Sequence, residues 1–382
     1  MLGVELRATW TQTRKSNCDI IQDRVEKTVR QWKSGKVMPL TMRSWSMNSY
    51  CLPKVWFKAH CVDLRQLDIN KINSNVKSWI YGDQFIKPEE RILFRPPSYG
   101  GLGVHNVQLK AQAALTRSFL ETACHPQFLH SLYHSSLYRY HVLGDDTIPD
   151  PGFPPFYSKD FFAKICEVHL ETPLNVAVMT QKQWYRLLLE DNCTMEQGEA
   201  GQMQFIRSRV ELASPETDWE QSWRLARLSG LGPDHTSFLF RLLHQLLPTQ
   251  ERLHRTGNAA NPLCKAAGCS ENDDLGHSLF MCEANQHVGT NLLGLLRQYQ
   301  PNISLEAALR LELNVEEEIE LPLVWISAAT LLSVWEQRKI SIRVVPHVTR
   351  SQLEAKVNIL RQTRLANFTG WLEDSINYMF EQ

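Results

Sequence analysis

The amino-acid sequence predicts a mainly α protein: a helical bundle of basic character, a linker, and a helical domain holding a C-x4-C-x7-H-x4-C cluster. Three observations carry that expectation. Apolar residues recur every three or four positions in one segment after another, the period of a helix with one buried face. The first hundred residues show none of the period-two alternation of a half-buried strand. Three of the nine cysteines fall within 19 residues together with a histidine, while the other six are scattered.

The elements run in order along the chain. Residues 19–33 place Ile21, Val25, Val29 and Trp32 on one face, with Arg24, Lys27, Arg30 and Lys33 fanned around the other. A second helical stretch covers 40–60, with a kink expected at Pro53 because proline removes a backbone donor. A third brings Ile69, Ile72, Val76, Trp79 and Ile80 together. RPPSYGGLGV (95–104) has two prolines and three glycines, which force a tight irregular connection. Helix resumes over 109–120. Residues 143–157, rich in Pro, Gly and Asp, read as a linker that separates a first domain, 1–142, from the rest of the chain. Residues 158–235 form a mixed helical connecting region, interrupted near 192–202. In 236–249, Phe238, Leu239, Leu242, Leu243 and Leu246 define a short apolar helix ended by Pro248. The cysteine cluster completes a domain over 236–290. The last segment, 291–382, reads as helices near 303–313, 321–340 and 351–380.

A chain of 382 residues is long enough for two or three domains with substantial cores, and 43% hydrophobic with 21% charged residues is an ordinary globular composition. The formal net charge is zero, but residues 1–110 carry 18 Lys/Arg against 9 Asp/Glu, and both later thirds are acidic. A one-sided basic segment predicts a polyanion partner for that segment. The candidate phosphate contacts are Arg14, Lys15, Arg24, Lys27, Arg30, Lys33, Lys36, Arg43, Lys54 and Lys58. The N-terminus has no secretory pattern, and the apolar stretch 321–335 is short and carries Ser327, Thr330 and Ser333. It is expected to be a buried helix, with no membrane partner. An odd, scattered cysteine set points to a reducing, intracellular compartment, cytoplasmic or nuclear.

The chemistry concentrates at Cys264, Cys269, His277 and Cys282. Three thiolates and one imidazole are the donor set of a closed, four-coordinate structural zinc site with no open position for hydrolysis. Gly268 permits a tight turn between the first two ligands, and His277 to Cys282 fits the opening of a helix. His287 is a substitute ligand to be tested against the structure. Gly144-Asp145-Asp146 imitates a polymerase motif but sits among turn residues, so no catalysis is expected there. His125, His130, His134 and His141 lack a metal-binding spacing, and Glu316, Glu317, Glu318 and Glu320 read as a solvated loop.

The order FLFRLLHQLLPTQERL (238–253), RTGNAANPLCKAAGC, DLGHSLFMC resembles the zinc-binding region of LINE-type (non-LTR) retrotransposon reverse transcriptases. LGVEL (2–6), VRQWKSGKVMPLTMRSWSMNSYCLPKVWF (29–57) and RPPSYGGLGVHNVQLKAQAAL (95–115) resemble that family's thumb motifs in the family's order, and 324–340 resembles its closing helix. The first cysteines are further apart than is usual there, and Thr256 stands where a basic residue is common. The resemblance implies a thumb-like bundle over 1–142, a zinc ligand role for the four cluster residues, and RNA or DNA contact through residues 1–120. It also implies that the catalytic palm lies upstream of the LGVEL motif, so this chain is expected not to be an enzyme. A structural or protein-interaction scaffold, with a protein partner the sequence does not identify, is the competing expectation.

Overall fold

A computed structural model describes residues 4–33, 38–62, 64–82, 87–123, 136–147, 163, 165–166, 179–189, 195–197, 203–205, 208–341, 344–360 and 366–381. The chain is mainly helical and divides into two compact units that interleave in sequence. One comprises Met1–Met38, Arg43–Gly82 and Val104–Ile206; the other comprises Pro39–Met42, Asp83–Gly103 and Arg207–Gln382. The one sheet among the described residues is a short antiparallel hairpin, Met195–Gln197 with Met203–Phe205, where the sequence showed only an interruption.

In the first unit the long helix Trp10–Lys33 starts nine residues before its apolar pattern does. Thr13 and Asn17 continue the buried face upstream of Ile21, and their side chains bond the extended segment before the helix. Asn17 Oδ1 accepts the Glu5 N–H at 3.0 Å, and its amide donates to the Glu5 carbonyl at 2.7 Å. Buried polar residues that serve the backbone are invisible to a hydrophobic count. This helix packs against Gln66–Tyr81 and Pro53–Ala59. Leu40–Ser46 runs through a π-helical turn, Met47–Cys51, into that last helix, and Pro53 stands at its first position, where no intrahelical donor is lost. Val107–Ala123 packs on Gln181–Leu189 around the fully buried Phe119, Leu120 and Trp184.

The second unit is built around Glu317–Ser341, a helix of 25 residues. It is longer than its apolar stretch because Glu317, Glu318 and Glu320 form its first turn rather than a loop. Carboxylates are favoured there by the helix dipole, and Glu320 is buried in a bidentate pair with Arg224 at 2.5 and 2.8 Å. By length and composition alone this helix could cross a membrane, yet 78% of its most apolar window is buried among its neighbours. Pro233–Leu243, Gln286–Tyr299, Pro346–Leu360 and Thr369–Phe380 surround it. Ser327 returns its hydroxyl to the Leu323 carbonyl at 2.7 Å, which satisfies a polar group inside this core. The segment expected as one helix from 351 to 380 is two, Pro346–Leu360 and Thr369–Phe380.

The RPPSYGGLGV segment is anchored within the second unit by a buried polar network. Arg95 forms a bidentate pair with Glu211 at 2.7 and 2.8 Å, and both side chains are under 10% exposed. The same carboxylate accepts the Trp223 indole N–H at 3.0 Å and the Ser208 backbone N–H, closing the capping box of the short helix Arg209–Ala213. Burial alone would raise the Glu211 pKa; the Arg95 guanidinium and these donors outweigh it and hold the carboxyl below its ordinary range. His244 Nε2 donates to the Gly100 carbonyl at 2.7 Å while its ring stacks on Trp223, and Arg227 donates to the Gly101 carbonyl. A Cβ on Gly101 would lie 1.8 Å from the Arg95 carbonyl oxygen, so only glycine fits.

Candidate functional site

The metal-ligand set is assembled by two local devices in the second unit. Pro262–Cys264 pairs with Glu271–Asp273: Cys264 N donates to the Glu271 carbonyl and Asp273 N to the Pro262 carbonyl, each at 2.9 Å. Between them the chain reverses at Gly268, whose φ of +81° suits glycine, and the Cys269 N–H closes on the Ala266 carbonyl. The other half is a π-helical turn, His277–Met281. In an α-helix, residues five apart point about 140° from one another. The wider π turn, closed by Cys282 N to the His277 carbonyl at 2.9 Å, brings both ligands to one side. Asp274 Oδ1 accepts the His277 N–H at 2.7 Å and fixes where the turn begins.

The result is one Cys3His group whose ligand atoms all lie within 4.8 Å of one another. Cys264 Sγ and Cys282 Sγ are 3.8 Å apart, and Cys269 Sγ is 3.4 Å from His277 Nε2. Two sulfurs at tetrahedral positions on bonds of about 2.3 Å would be roughly 3.8 Å apart, and a sulfur and an imidazole nitrogen roughly 3.5 Å. Both of these distances suit a tetrahedral centre, and the four residues could together hold a metal ion. His287 lies outside the group, exposed on Gln286–Tyr299, so the histidine of the group is His277.

Two further residues, Arg338 and Asp273, complete the site. Arg338, from the central helix, donates to Asp273 Oδ1 at 2.6 Å and to Cys264 Sγ at 3.5 Å. Asp273 also accepts the Ser278 hydroxyl at 2.6 Å and the Gln250 N–H at 2.9 Å, which ties in the turn after Pro248 where Thr249 caps Gln250–Arg255. Burial opposes the Cys264 thiolate, but the Ala266 N–H and the Arg338 guanidinium lower its pKa below the usual thiol value. Cys269 has a favourable Glu271 backbone N–H, which burial and the Cys264 charge outweigh, so its pKa is raised. Three thiolates around a divalent ion would carry one net negative charge, which the Arg338 guanidinium, shared with Asp273, would offset in part. Asp273, which is buried, and Asp274, exposed but bonded to the His277 N–H, both serve the site. A cleft of about 590 Å³ adjoins the centre, lined in part by His277, Met281, Trp219, Arg252 and Arg310.

The ten candidate phosphate contacts separate into distinct environments within the first unit. Lys15, Arg24, Lys27, Arg30 and Lys33 are exposed on Trp10–Lys33. Arg30 pairs with Glu26 at 2.5 Å, and Lys33 reaches Ser78. Asp19, Asp23 and Glu26 are interleaved on the same solvent side. Arg14 is half-buried, and Lys36 lies outside the described residues. Arg43 is a helix cap: it donates to the Met38, Trp79 and Ile80 carbonyls and lies over the Trp79 ring. Lys54 is exposed with its Nζ 2.9 Å from Thr28 Oγ1. Lys58 is a correction to the sequence reading, because it is 1% exposed and bonded to Asn17 Oδ1 at 2.6 Å, where no phosphate can reach it.

Asp145 is occupied by Arg139 and Thr147 in a turn, an ordinary role for a turn carboxylate. His125, His130 and His134 lie outside the described residues, and His141 packs its ring on Tyr140. No protein-family model matches the chain, and no curated protein matches it.

Proposed function

We propose that this chain is a zinc-stabilised, non-catalytic nucleic-acid-binding module related to the downstream end of LINE-type reverse transcriptases. The observation that carries the reading is the Cys3His group, with the Cys264 and Cys282 sulfurs 3.8 Å apart and a buried arginine against Cys264. Zinc is the ion such a donor set favours, and it would supply folding free energy, with no position left for substrate. The resemblance contributes the family, and the five exposed cations of Trp10–Lys33 with Lys54 contribute a surface for phosphates, bound without reading sequence. Ligation through three reduced cysteines suits an intracellular compartment.

A second reading, a protein-interaction scaffold, is favoured by the three carboxylates among those cations and by the zero net charge. One set of measurements decides. The purified chain should carry one zinc, and a Cys264→Ser/Cys282→Ser variant none. RNA and DNA affinity should fall steeply with salt, and no nucleotide should be incorporated with magnesium or manganese. A folded protein without zinc removes the basis of the reading; a zinc protein that binds nucleic acid no better than a charge-matched control leaves the scaffold.

A further inference from the structure

The helical segment Leu40–Ala59 exposes three large aromatic side chains, Trp45, Tyr50 and Phe57, at 54%, 57% and 57%. Single exposed apolar residues need no explanation, but these are arranged together. Trp45 and Tyr50 are five apart, and the π-helical turn Met47–Cys51 lets their rings meet edge to face, centroids 5.5 Å apart. Lys54 follows Tyr50 by four residues and Phe57 follows Lys54 by three, the spacing that keeps helical side chains on one face. The outer face therefore alternates ring, ring, cation, ring.

Charge identifies what such a face suits. From Lys27 to Val62 the sequence has seven Lys/Arg and not one Asp or Glu, and four of the seven, Lys27, Arg30, Lys33 and Lys54, are exposed. Lys54 also joins the stripe to the helix Trp10–Lys33: its Nζ meets Thr28 Oγ1, whose hydroxyl donates to the Arg24 carbonyl at 2.7 Å, beside the exposed Arg24 and Lys27. An apolar protein partner would find no reason for this one-sided charge. A single nucleic-acid strand has both complements, phosphates for the cations and unpaired base faces for the rings. A duplex offers only the phosphates.

We infer that Trp45, Tyr50 and Phe57, with Lys54, form a stacking platform for single-stranded RNA or DNA. The inference rests on the nucleic-acid reading above and adds strand type and residues to it. The test uses the full chain with zinc, a fluorescein-labelled oligothymidine strand, and a hairpin duplex of equal charge, followed by fluorescence anisotropy at low salt. Each of Trp45→Ala, Tyr50→Ala and Phe57→Ala should weaken strand binding about five- to tenfold and leave duplex binding unchanged, whereas Trp45→Phe should retain most of the affinity. Because the side chains are exposed, melting temperatures should stay at the wild-type value. As a readout without substitution, a strand carrying 4-thiothymidine should crosslink under irradiation to the peptide containing residues 45–57. Strand binding that is unchanged in all three variants, or crosslinks confined to other peptides, overturns the platform and leaves the electrostatic reading in place. A wild-type chain that binds neither strand nor duplex overturns both.

Discussion

Replacing Arg338 with methionine tests the reasoning behind the metal centre most directly. The guanidinium is 8% exposed and Asp273 7%, so their 2.6 Å pair is little screened by solvent. Removing one partner of a buried pair costs about 3–5 kcal/mol, because the other charge stays buried. Two features place Arg338→Met near the lower end, about 3 kcal/mol. Asp273 keeps the Ser278 hydroxyl and the Gln250 N–H, and Arg338 Nη1 has no partner in the native state, so its removal recovers some desolvation. Metal affinity falls for a separate reason: Cys264 Sγ loses the positive charge 3.5 Å away, and groups that orient and balance ligands are worth about 10–100-fold. Urea unfolding with and without chelator, with competition against a chromophoric zinc indicator, separates the two effects. Asp273→Asn should match the stability loss but cost less affinity, since the arginine remains beside the sulfurs, and the double variant should show strong coupling. An Arg338→Met protein with wild-type zinc affinity would refute the charge-balance argument; additive losses would refute the pairing.

Gly101→Ala should destabilise the second unit by about 3 kcal/mol or more, because backbone atoms cannot retreat from a 1.8 Å overlap, and a melting temperature near wild type would show the segment to be loosely held. Acid should weaken the protein through two buried histidines. Burial pushes His235 and His244 from the ordinary value of 6.5 down to about 4. Between those values the unfolded chain binds more protons than the native one, so this stability is complete above pH 6.5 and is lost as pH falls toward 4. The loss is about 2 kcal/mol per histidine at pH 5. His235→Gln should shrink the pH 7 to 5 loss measured by urea unfolding, and an unchanged loss would count against it. Lys58→Met should leave the salt slope of nucleic-acid binding unaltered, whereas removing Arg24 or Lys27 should lower it by about one each; a Lys58 effect as large as theirs would mean it reaches solvent.

How much of this was legible depended on the range of each interaction. The ligands Cys264, Cys269, His277 and Cys282 lie within 19 residues, so donor chemistry and spacing alone placed them together. The helices were equally local, since a period of 3.6 appears wherever a face is buried. The helix start at Trp10 is hidden in the sequence because Thr13 and Asn17 bury polar atoms that look like surface in a hydrophobic pattern. Lys58 is hidden for the same reason: nothing local distinguishes a lysine aimed at Asn17 from one aimed at water. The largest decisions were long-range. Arg338 balances thiolates from another helix, and Glu211 holds Arg95 across more than a hundred residues. A charged side chain is specified by its sequence, but whether it meets solvent, a sulfur or an opposite charge is fixed only when packing removes the water around it.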